Sequence, residues 1–302
     1  MHDIVIIGAG PAGMTAAIYG RRASKTVLMI EAKSYGGQII NTPQIENYPA
    51  APNISGYDFA VNAFGQATEL GAETVFEKAL GITPHDGVFT VTTDRGEHEA
   101  RSVIIATGSE NRKLGLPDED RLIGRGISYC ATCDGSFFRG KDVAVVGGGN
   151  TALDDALYLS QLCSKVYLIH RRDGFRGAES TAELLKRKEN VIFVLNSRVT
   201  RLISEKRLQG VEVTRSDGAV TEIEVSGLFV AVGRVPENGA FAPLIELDGA
   251  GYAASGEDCK TKTPGIFVAG DNRAKEVRQL VTAASDGAAA ATEAVKYLNS
   301  NR

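Results

Sequence analysis

Apolar residues along this chain gather into short runs, each closed by glycines or by a polar turn. The first, Ile4-Val5-Ile6-Ile7, contains no polar position, the pattern of a strand covered on both faces. A glycine-rich turn, GAGPAG at 8–13, follows it, and then MTAAIYGRRA, whose composition favours helix. VLMIE, ending at Glu31, reads as a second strand. The same order returns later: Val143 to Val146 form a strand, GGGNTA at 147–152 opens a helix, and VYLIH, ending at His170, is the next strand. Each half has a further apolar run that closes on a small-residue turn, SVIIATGS at 102–109 and GLFVAVGRVP at 227–236. VFTVTTDRGEHEA and GVEVTRSDGAVTEIEV alternate with period two around turn signals and read as hairpins or meanders. Near the end, Gly265 to Ala269 read as a strand, Gly270-Asp271 as a turn and the alanine-rich remainder as a long helix. The pattern predicts an internally duplicated α/β chain: two Rossmann-like dinucleotide-binding domains of three layers (ββα), each carrying a β excursion.

The glycine spacing says what these turns are for. In G-x-G-x-x-G/A the first glycine makes the sharp turn and the second lets a pyrophosphate lie against bare backbone. The third small residue lets helix and strand pack closely, and the helix N-terminus faces the phosphates with unpaired N–H groups. Gly8, Gly10 and Gly13 occupy these places in the first half, with Pro11 and Ala12 between them. Gly147, Gly149 and Ala152 occupy them in the second, with Asn150 and Thr151 between. A lone motif of this kind is weak; a strand before it and a helix after it are the context that supports it.

The halves part company 23 residues after the first glycine, at Glu31 in one and at His170, followed by Arg171 and Arg172, in the other. A carboxylate at the end of the second strand accepts hydrogen bonds from a free ribose 2′-hydroxyl and repels a 2′-phosphate, whereas arginines bind that phosphate bidentately. The first half therefore suits FAD or NAD and the second NADP, with Arg176 as a further cation.

Composition adds exclusions. With 33 basic against 37 acidic residues there is no global pull toward nucleic acid or an anionic membrane. The uncharged stretch from Ile4 to Gly20 is shorter than the ~20 residues of a membrane span and is broken by glycine and proline, and the N-terminus lacks signal-peptide features. Four irregularly spaced cysteines do not make a secreted disulfide framework, so a cytoplasmic, reducing setting is expected.

Taken in order, GAGPAG, ATG at 106–108, CATCDG at 130–135, GGGNTA, HRRDGFR at 170–176 and Gly270-Asp271 with Arg278-Gln279 resemble the low-molecular-weight thioredoxin reductases, class II pyridine nucleotide-disulfide oxidoreductases, over the whole chain. The resemblance implies an FAD domain made of residues 1–113 and 244–302, with an NADPH domain, 114–243, inserted into it. It implies an FAD site of the first fingerprint, Glu31, Gly36, Gly37, Gln38, Asn47, Ala106, Thr107, Gly108, Gly270, Asp271, Arg278, Gln279 and Leu280, with Asp271 holding the ribityl chain. The NADPH site would be Gly147, Gly149, Asn150, Thr151, Ala152, His170, Arg171, Arg172 and Arg176. A homodimer, a thioredoxin partner and a rotation of the inserted domain between two states are further implications. Gly177, Asn272 and the pair Asp154-Asp155 depart from the family's commonest pattern, and Asn272 stands where it could alter hydrogen bonding to the flavin.

Cys130 and Cys133 carry the remaining chemistry. A structural zinc site needs four ligands, and this chain has no second C-x-x-C and only scattered histidines, so no metal is expected. A staple across two residues constrains an unfolded chain little. The reading left is a redox pair, one thiol of which has a lowered pKa. The resemblance makes Cys133 the flavin-proximal thiol, Cys130 the one that attacks thioredoxin and Asp134 the acid that protonates the leaving thiolate; the plainer reading of Asp134 is a turn or N-cap residue. Competing functions are a reductase for another carrier, such as the disulfide protein of a peroxidase system, a ferredoxin-fed enzyme, and a non-catalytic flavin redox sensor.

Overall fold

The computed structural model describes residues 1–42, 44–51 and 53–301. The chain divides into two compact units, Met1–Glu110 with Val235–Arg302, and Asn111–Arg234. In the first unit the elements are β1 (His2–Ile7), α1 (Pro11–Arg22), β2 (Val27–Glu31), α2 (Gly56–Glu69), β3 (Glu73–Phe76), β4 (Ala79–His85), β5 (Val88–Thr93) and β6 (Glu97–Ile105), completed from the C-terminal segment by β17 (Ile266–Val268) and α7 (Leu280–Ser300). Strands β3, β2, β1, β6 and β17 lie side by side in parallel. β6 serves two layers: Glu97–Ala100 pair antiparallel with β5 in a meander with β4, and Val103–Ile105 pair parallel with β17.

Alternation along β1 explains the layering, because successive side chains of a strand point to opposite faces. Ile4 and Ile6 pack with Met14 and Ala16 of α1 and with Ala290, Ala291 and Ala294 of α7. Val5 and Ile7 pack instead with Phe89 and Val91 of the meander. All four are buried, each worth ~1.5–3 kcal/mol of apolar transfer. The alanine and glycine stripe on α7 lets it lie close against α1: a side chain at Gly287 would reach to 2.1 Å from the Ala12 carbonyl oxygen.

The second unit repeats the plan. It contains α3 (Glu119–Leu122), β8 (Ile127–Ser128), α4 (Ala131–Asp134), β9 (Asp142–Gly147), α5 (Asn150–Leu159), β10 (Lys165–Ile169), α6 (Glu179–Lys186), β11 (Val191–Val194), β12 (Ser197–Ser204), β13 (Leu208–Arg215), β14 (Val220–Glu224) and β15 (Gly227–Ala231). Its parallel sheet runs β11-β10-β9-β15-β8, and β12-β13-β14 form the meander. Val143 and Val145 face α5 and α6, while Ala144 and Val146 face the meander. Position for position, β11, β10, β9, β15 and β8 stand where β3, β2, β1, β6 and β17 stand in the first unit. The outermost strand is the difference: β17 leads into Gly270-Asp271, and β8 leads into Cys130.

Short strands β7 (Ser109–Asn111) and β16 (Arg234–Pro236) mark where the chain leaves one unit for the other. The two ends of the second unit are tied to each other, the Arg112 N–H donating to the Gly233 carbonyl at 3.0 Å and Arg234 Nε to Asn111 Oδ1 at 2.8 Å. Neighbouring ends are what an inserted domain requires.

Candidate active site and dinucleotide sites

The two fingerprint turns are built alike. Gly8 has φ +107°, and a Cβ there would sit 2.4 Å from the Ala106 carbonyl oxygen; at Gly147 it would sit 2.3 Å from the Ala231 carbonyl oxygen. At Gly13 a Cβ would come 1.9 Å from the Gly8 carbonyl oxygen, whereas the second unit accommodates Ala152 in the equivalent place, fully buried. These glycines serve the fold. Gly10 and Gly149 differ, since a Cβ at either would meet nothing within 4 Å. Each is the N-cap of its helix and caps no N–H with a side chain, and Pro11 occupies the first turn of α1. By contrast α2 is capped by Ser55 and α7 by a reciprocal Gln279–Thr282 box. Open space over bare backbone beside uncapped N–H groups is the cradle a pyrophosphate fills, so the residues present fit a dinucleotide at both places.

Several of the predicted FAD residues lie around the first turn, and others pair with one another elsewhere in the unit. The Glu31 carboxylate accepts from the Ala9 N–H at 2.8 Å and the Lys33 N–H at 2.9 Å, which fixes it at the end of β2. Gly36 donates its N–H to the Ala9 carbonyl at 2.8 Å, and a Cβ on Gly37 would lie 3.3 Å from the Gly10 Cα. Ala106 donates to the Ile7 carbonyl, setting Thr107 and Gly108 beyond the ends of β1 and β6, and the Thr107 hydroxyl is buried without a partner among the described residues. Asn47 Nδ2 donates to Gln279 Oε1 at 3.0 Å, joining two residues far apart in sequence next to Leu280, the first residue of α7. The Arg278 guanidinium stacks over the Tyr252 ring at 4.1 Å. Gln38 lies exposed in the short 3₁₀ turn Gly37–Asn41.

Gly270, the residue before Asp271, is held by a residue that sequence reasoning missed. The buried Asp286 carboxylate accepts from the Gly270 N–H at 3.0 Å, from Arg273 Nε and Nη2 at 3.2 and 3.0 Å, and from Lys275 Nζ at 2.8 Å. An acidic residue on the alanine-lined face of the last helix was the available signal. Asn272 is buried with its amide turned to the Ile105 carbonyl and to Asn238 Oδ1, both at 3.2 Å. Its departure from the family pattern is thus answered by another buried amide, Asn238.

In the second unit, Gly148 packs face to face with His170: a Cβ there would lie 2.1 Å from the imidazole ring. Burial, with help from Arg176, Arg171 and Arg172, keeps the His170 pKa low, while a Gly174 backbone hydrogen bond opposes this; its Nε2 is buried without a partner among the described residues. Arg171, Arg172 and Arg176 are exposed around this imidazole. Arg176 and Gly177 both donate backbone N–H groups to the Gly148 carbonyl, at 2.7 and 3.2 Å. Asn150 Oδ1 accepts from the Ala178 N–H at 2.7 Å, and Thr151 is exposed in the first turn of α5. A Cβ at Gly177 would come 2.6 Å from Leu153 and 2.9 Å from the Asn150 nitrogen, so the glycine there lets the arginine loop close onto the helix start. On α5, burial and then Asp154 push the Asp155 pKa up to about 7. A cleft of about 820 Å³ between β10–β11 and the meander, lined by Lys165, Tyr167, Phe193, Val213 and Arg215, contains none of the predicted site residues.

Cys130 and Cys133 are joined in a disulfide with Cα atoms 5.3 Å apart, Cys130 being the N-cap of α4. The other thiols, Cys163 and Cys259, are buried and pushed up by desolvation to about 11 and about 12, so they stay protonated near neutral pH. Asp134 ends α4, and its carboxylate caps no backbone N–H of the following turn; Oδ2 accepts from the Ser128 hydroxyl at 2.6 Å instead. Burial raises its proton affinity, and Ser128 offsets part of that. Glu119, buried, accepts from the N–H groups of Leu114, Gly115 and Leu116 and from the Tyr129 hydroxyl at 2.8 Å, which anchors the residue before Cys130. Neither Ser128 nor Glu119 was legible from spacing.

Residues 2–288 match the pyridine nucleotide-disulphide oxidoreductase family. The thioredoxin reductase of Listeria monocytogenes is 42% identical over 300 residues, covering 99% of this chain and 94% of that protein. The crystal structure of thioredoxin reductase from Streptococcus pyogenes superposes with a TM-score of 0.94 at 38% identity, with 99% of each chain covered. A bifunctional thioredoxin reductase/thioredoxin of Mycobacterium leprae is 38% identical over 302 residues, covering 99% of this chain and 66% of that protein. The chain belongs to the pyridine nucleotide-disulphide oxidoreductase family, among its low-molecular-weight thioredoxin reductases.

Proposed function

We infer that this protein is an NADPH-dependent thioredoxin reductase. The observation that carries the reading is one pair of dinucleotide cradles with opposite charge at the ribose end, Glu31 against Arg171 and Arg172, in a chain that also carries a C-x-x-C disulfide after β8. In this reading the first unit is the FAD domain and the second the NADPH domain. When bound, NADPH supplies a hydride equivalent and FAD the two-electron carrier between it and the disulfide.

This chain's residues do the rest. Gly10 and the start of α1 would hold one pyrophosphate, with Glu31 on the adenosine ribose, Asp271 on the ribityl chain and Asn47 with Gln279 along the flavin side. Gly149 and the start of α5 would hold the other pyrophosphate, with His170, Arg171, Arg172 and Arg176 around the 2′-phosphate. In the reduced pair, Cys130 attacks the partner's disulfide as the thiolate, Cys133 resolves the mixed disulfide, and Asp134 protonates the leaving sulfur. A relative that joins thioredoxin reductase and thioredoxin in one chain supports thioredoxin as the partner. Among the described residues no helix is long and apolar enough to cross a membrane; a cytoplasmic homodimer is the arrangement we propose, which sedimentation at micromolar concentration tests.

Anaerobic mixing of the holoenzyme with NADPH should bleach the flavin band, and added oxidised thioredoxin should restore it while gaining free thiols. Equal bleaching by NADH would remove the cofactor assignment, and no thiol gain with any thioredoxin would remove the partner.

A further inference from the structure

Asp134 has two carboxylate oxygens in different surroundings, and Ser128 makes the difference. Ser128 is buried, at 4% exposure, in the last position of β8. Its hydroxyl accepts the Cys130 N–H at 3.0 Å. Its single proton points either to Asp134 Oδ2, at 2.6 Å, or to the Cys130 carbonyl, at 3.3 Å. The shorter bond to a carboxylate is the stronger. Oδ2 is thereby occupied as an acceptor. Oδ1 is also buried but has no hydrogen-bond partner among the described residues. A buried carboxyl oxygen left open on the same turn as the cysteine pair is the oxygen on which a transferable proton can reside.

We propose that Ser128 is a positioning residue for the disulfide exchange: it orients Asp134 with Oδ2 as acceptor, leaving Oδ1 to carry the proton delivered to the leaving sulfur. The proposal rests on the reading of Asp134 as the acid. The exchange it serves is balanced. The two electrons of the dithiol pass to the partner's disulfide, whose S–S bond breaks as the Cys130–Cys133 bond forms. Both thiol protons end on the partner's sulfurs, one of them by way of Oδ1. The same hydroxyl also grips the Cys130 N–H, so the acid and the attacking cysteine are indexed to one atom.

The hydrogen bond from Ser128 favours the ionised carboxyl, opposing the effect of burial. Removing it therefore raises the pH at which Asp134 loses its proton. Other groups on the elements packed against α4 are Asp154, Asp155 and Tyr158 of α5, with Tyr129 before Cys130 and Arg139 and Lys141 after the next turn. The Tyr129 hydroxyl is bonded to Glu119, and Asp155 titrates near neutral pH in its own right, so it needs a control.

The test has a ground-state and a kinetic readout. Carboxyl 13C titration of Asp134 in the oxidised holoenzyme should show its midpoint about one to two pH units higher in Ser128→Ala, close to wild type in Ser128→Thr, and unmoved in Asp155→Asn. The pre-reduced holoenzyme, reacted in a single turnover with oxidised thioredoxin or a dialkyl disulfide, should lose rate as pH rises through that midpoint. The falling limb should move upward in Ser128→Ala, hold in Ser128→Thr and vanish in Asp134→Asn. An unmoved Asp134 midpoint in folded, flavin-loaded Ser128→Ala overturns the proposal, as does a limb that survives Asp134→Asn. If the midpoint moves and the dialkyl disulfide shows the limb while thioredoxin is not reduced, the partner reading fails and the role of Ser128 stands.

Discussion

The β1–α1–β2 and β9–α5–β10 segments have the same strand order, the same positive-φ first glycine and the same uncapped helix start, yet they close on opposite chemistry. In the first, the second fingerprint residue, Ala9, gives its N–H to Glu31; in the second, Gly148 has no side chain, and the His170 ring lies flat against it. The backbone cradle is therefore generic. In the function proposed here, selectivity lies at the end of the next strand, in Glu31 for one cradle and in Arg171 and Arg172 after His170 for the other. A second contrast lies at the sheet's outer strand, where the same topological position presents Asp271 in one unit and Cys130 in the other. One plan thus yields a cofactor cradle twice and a redox centre once, according to the residues that the outer strand delivers.

If this comparison is right, glycines that serve the fold and glycines that serve the ligand must separate on substitution. Gly8→Ala should cost on the order of 3–5 kcal/mol in denaturant unfolding, since it meets both positive φ and the Ala106 carbonyl. Gly10→Ala should leave apoprotein stability within ~0.5 kcal/mol of wild type and weaken FAD binding about 100-fold, read by flavin fluorescence. Equal stability losses in both variants would erase the distinction.

The charge contrast comes next in size. Arg171→Ala with Arg172→Ala should raise the KM for NADPH about 10- to 100-fold and leave the KM for NADH nearly unchanged. Glu31→Gln should weaken FAD binding about tenfold in an equilibrium titration, with no effect on the NADPH KM.

A further effect of similar size is on stability and depends on pH. The Asp155 pKa is raised to about 7 from an ordinary value of 3.8, so its penalty on the folded state is absent below about pH 4, builds between about pH 4 and 7, where only the unfolded chain ionises it, and is fully present above about pH 7. Asp155→Asn should match wild-type stability at pH 4 and exceed it by ~1–3 kcal/mol at pH 8, measured by urea unfolding.

Much of the fold, and the turns that build the candidate sites, were legible in the sequence because the strongest signals are local. Uninterrupted runs such as Ile4–Ile7 and glycines three apart report strand and turn directly, and Glu31 and Arg171 stand at fixed offsets from them. Alternation in VFTVTT placed the first meander correctly, as Phe89 and Val91 face the core from β5. Long-range partnership could not be read. Asp286 reaches back to Gly270 and Arg273, Asn238 to Asn272, and Ser128 to Asp134, and no periodicity encodes such pairs. Gly177 is a minor departure by sequence alone, and only the Gly149 and Asn150 backbone atoms 2.9 Å from where its Cβ would sit show what a side chain there would press against.

The central claim is that NADPH electrons reach the Cys130–Cys133 disulfide through the flavin. Anaerobic reductive titration with NADPH, in the presence of an NADPH-regenerating system and with free thiols counted after quenching, tests it most directly. The expected result is two-electron reduction of the flavin plus two new thiols per chain in the wild type, and in Cys133→Ser flavin reduction with no thiols gained. A fully reduced flavin beside an intact Cys130–Cys133 disulfide in the wild type would contradict it.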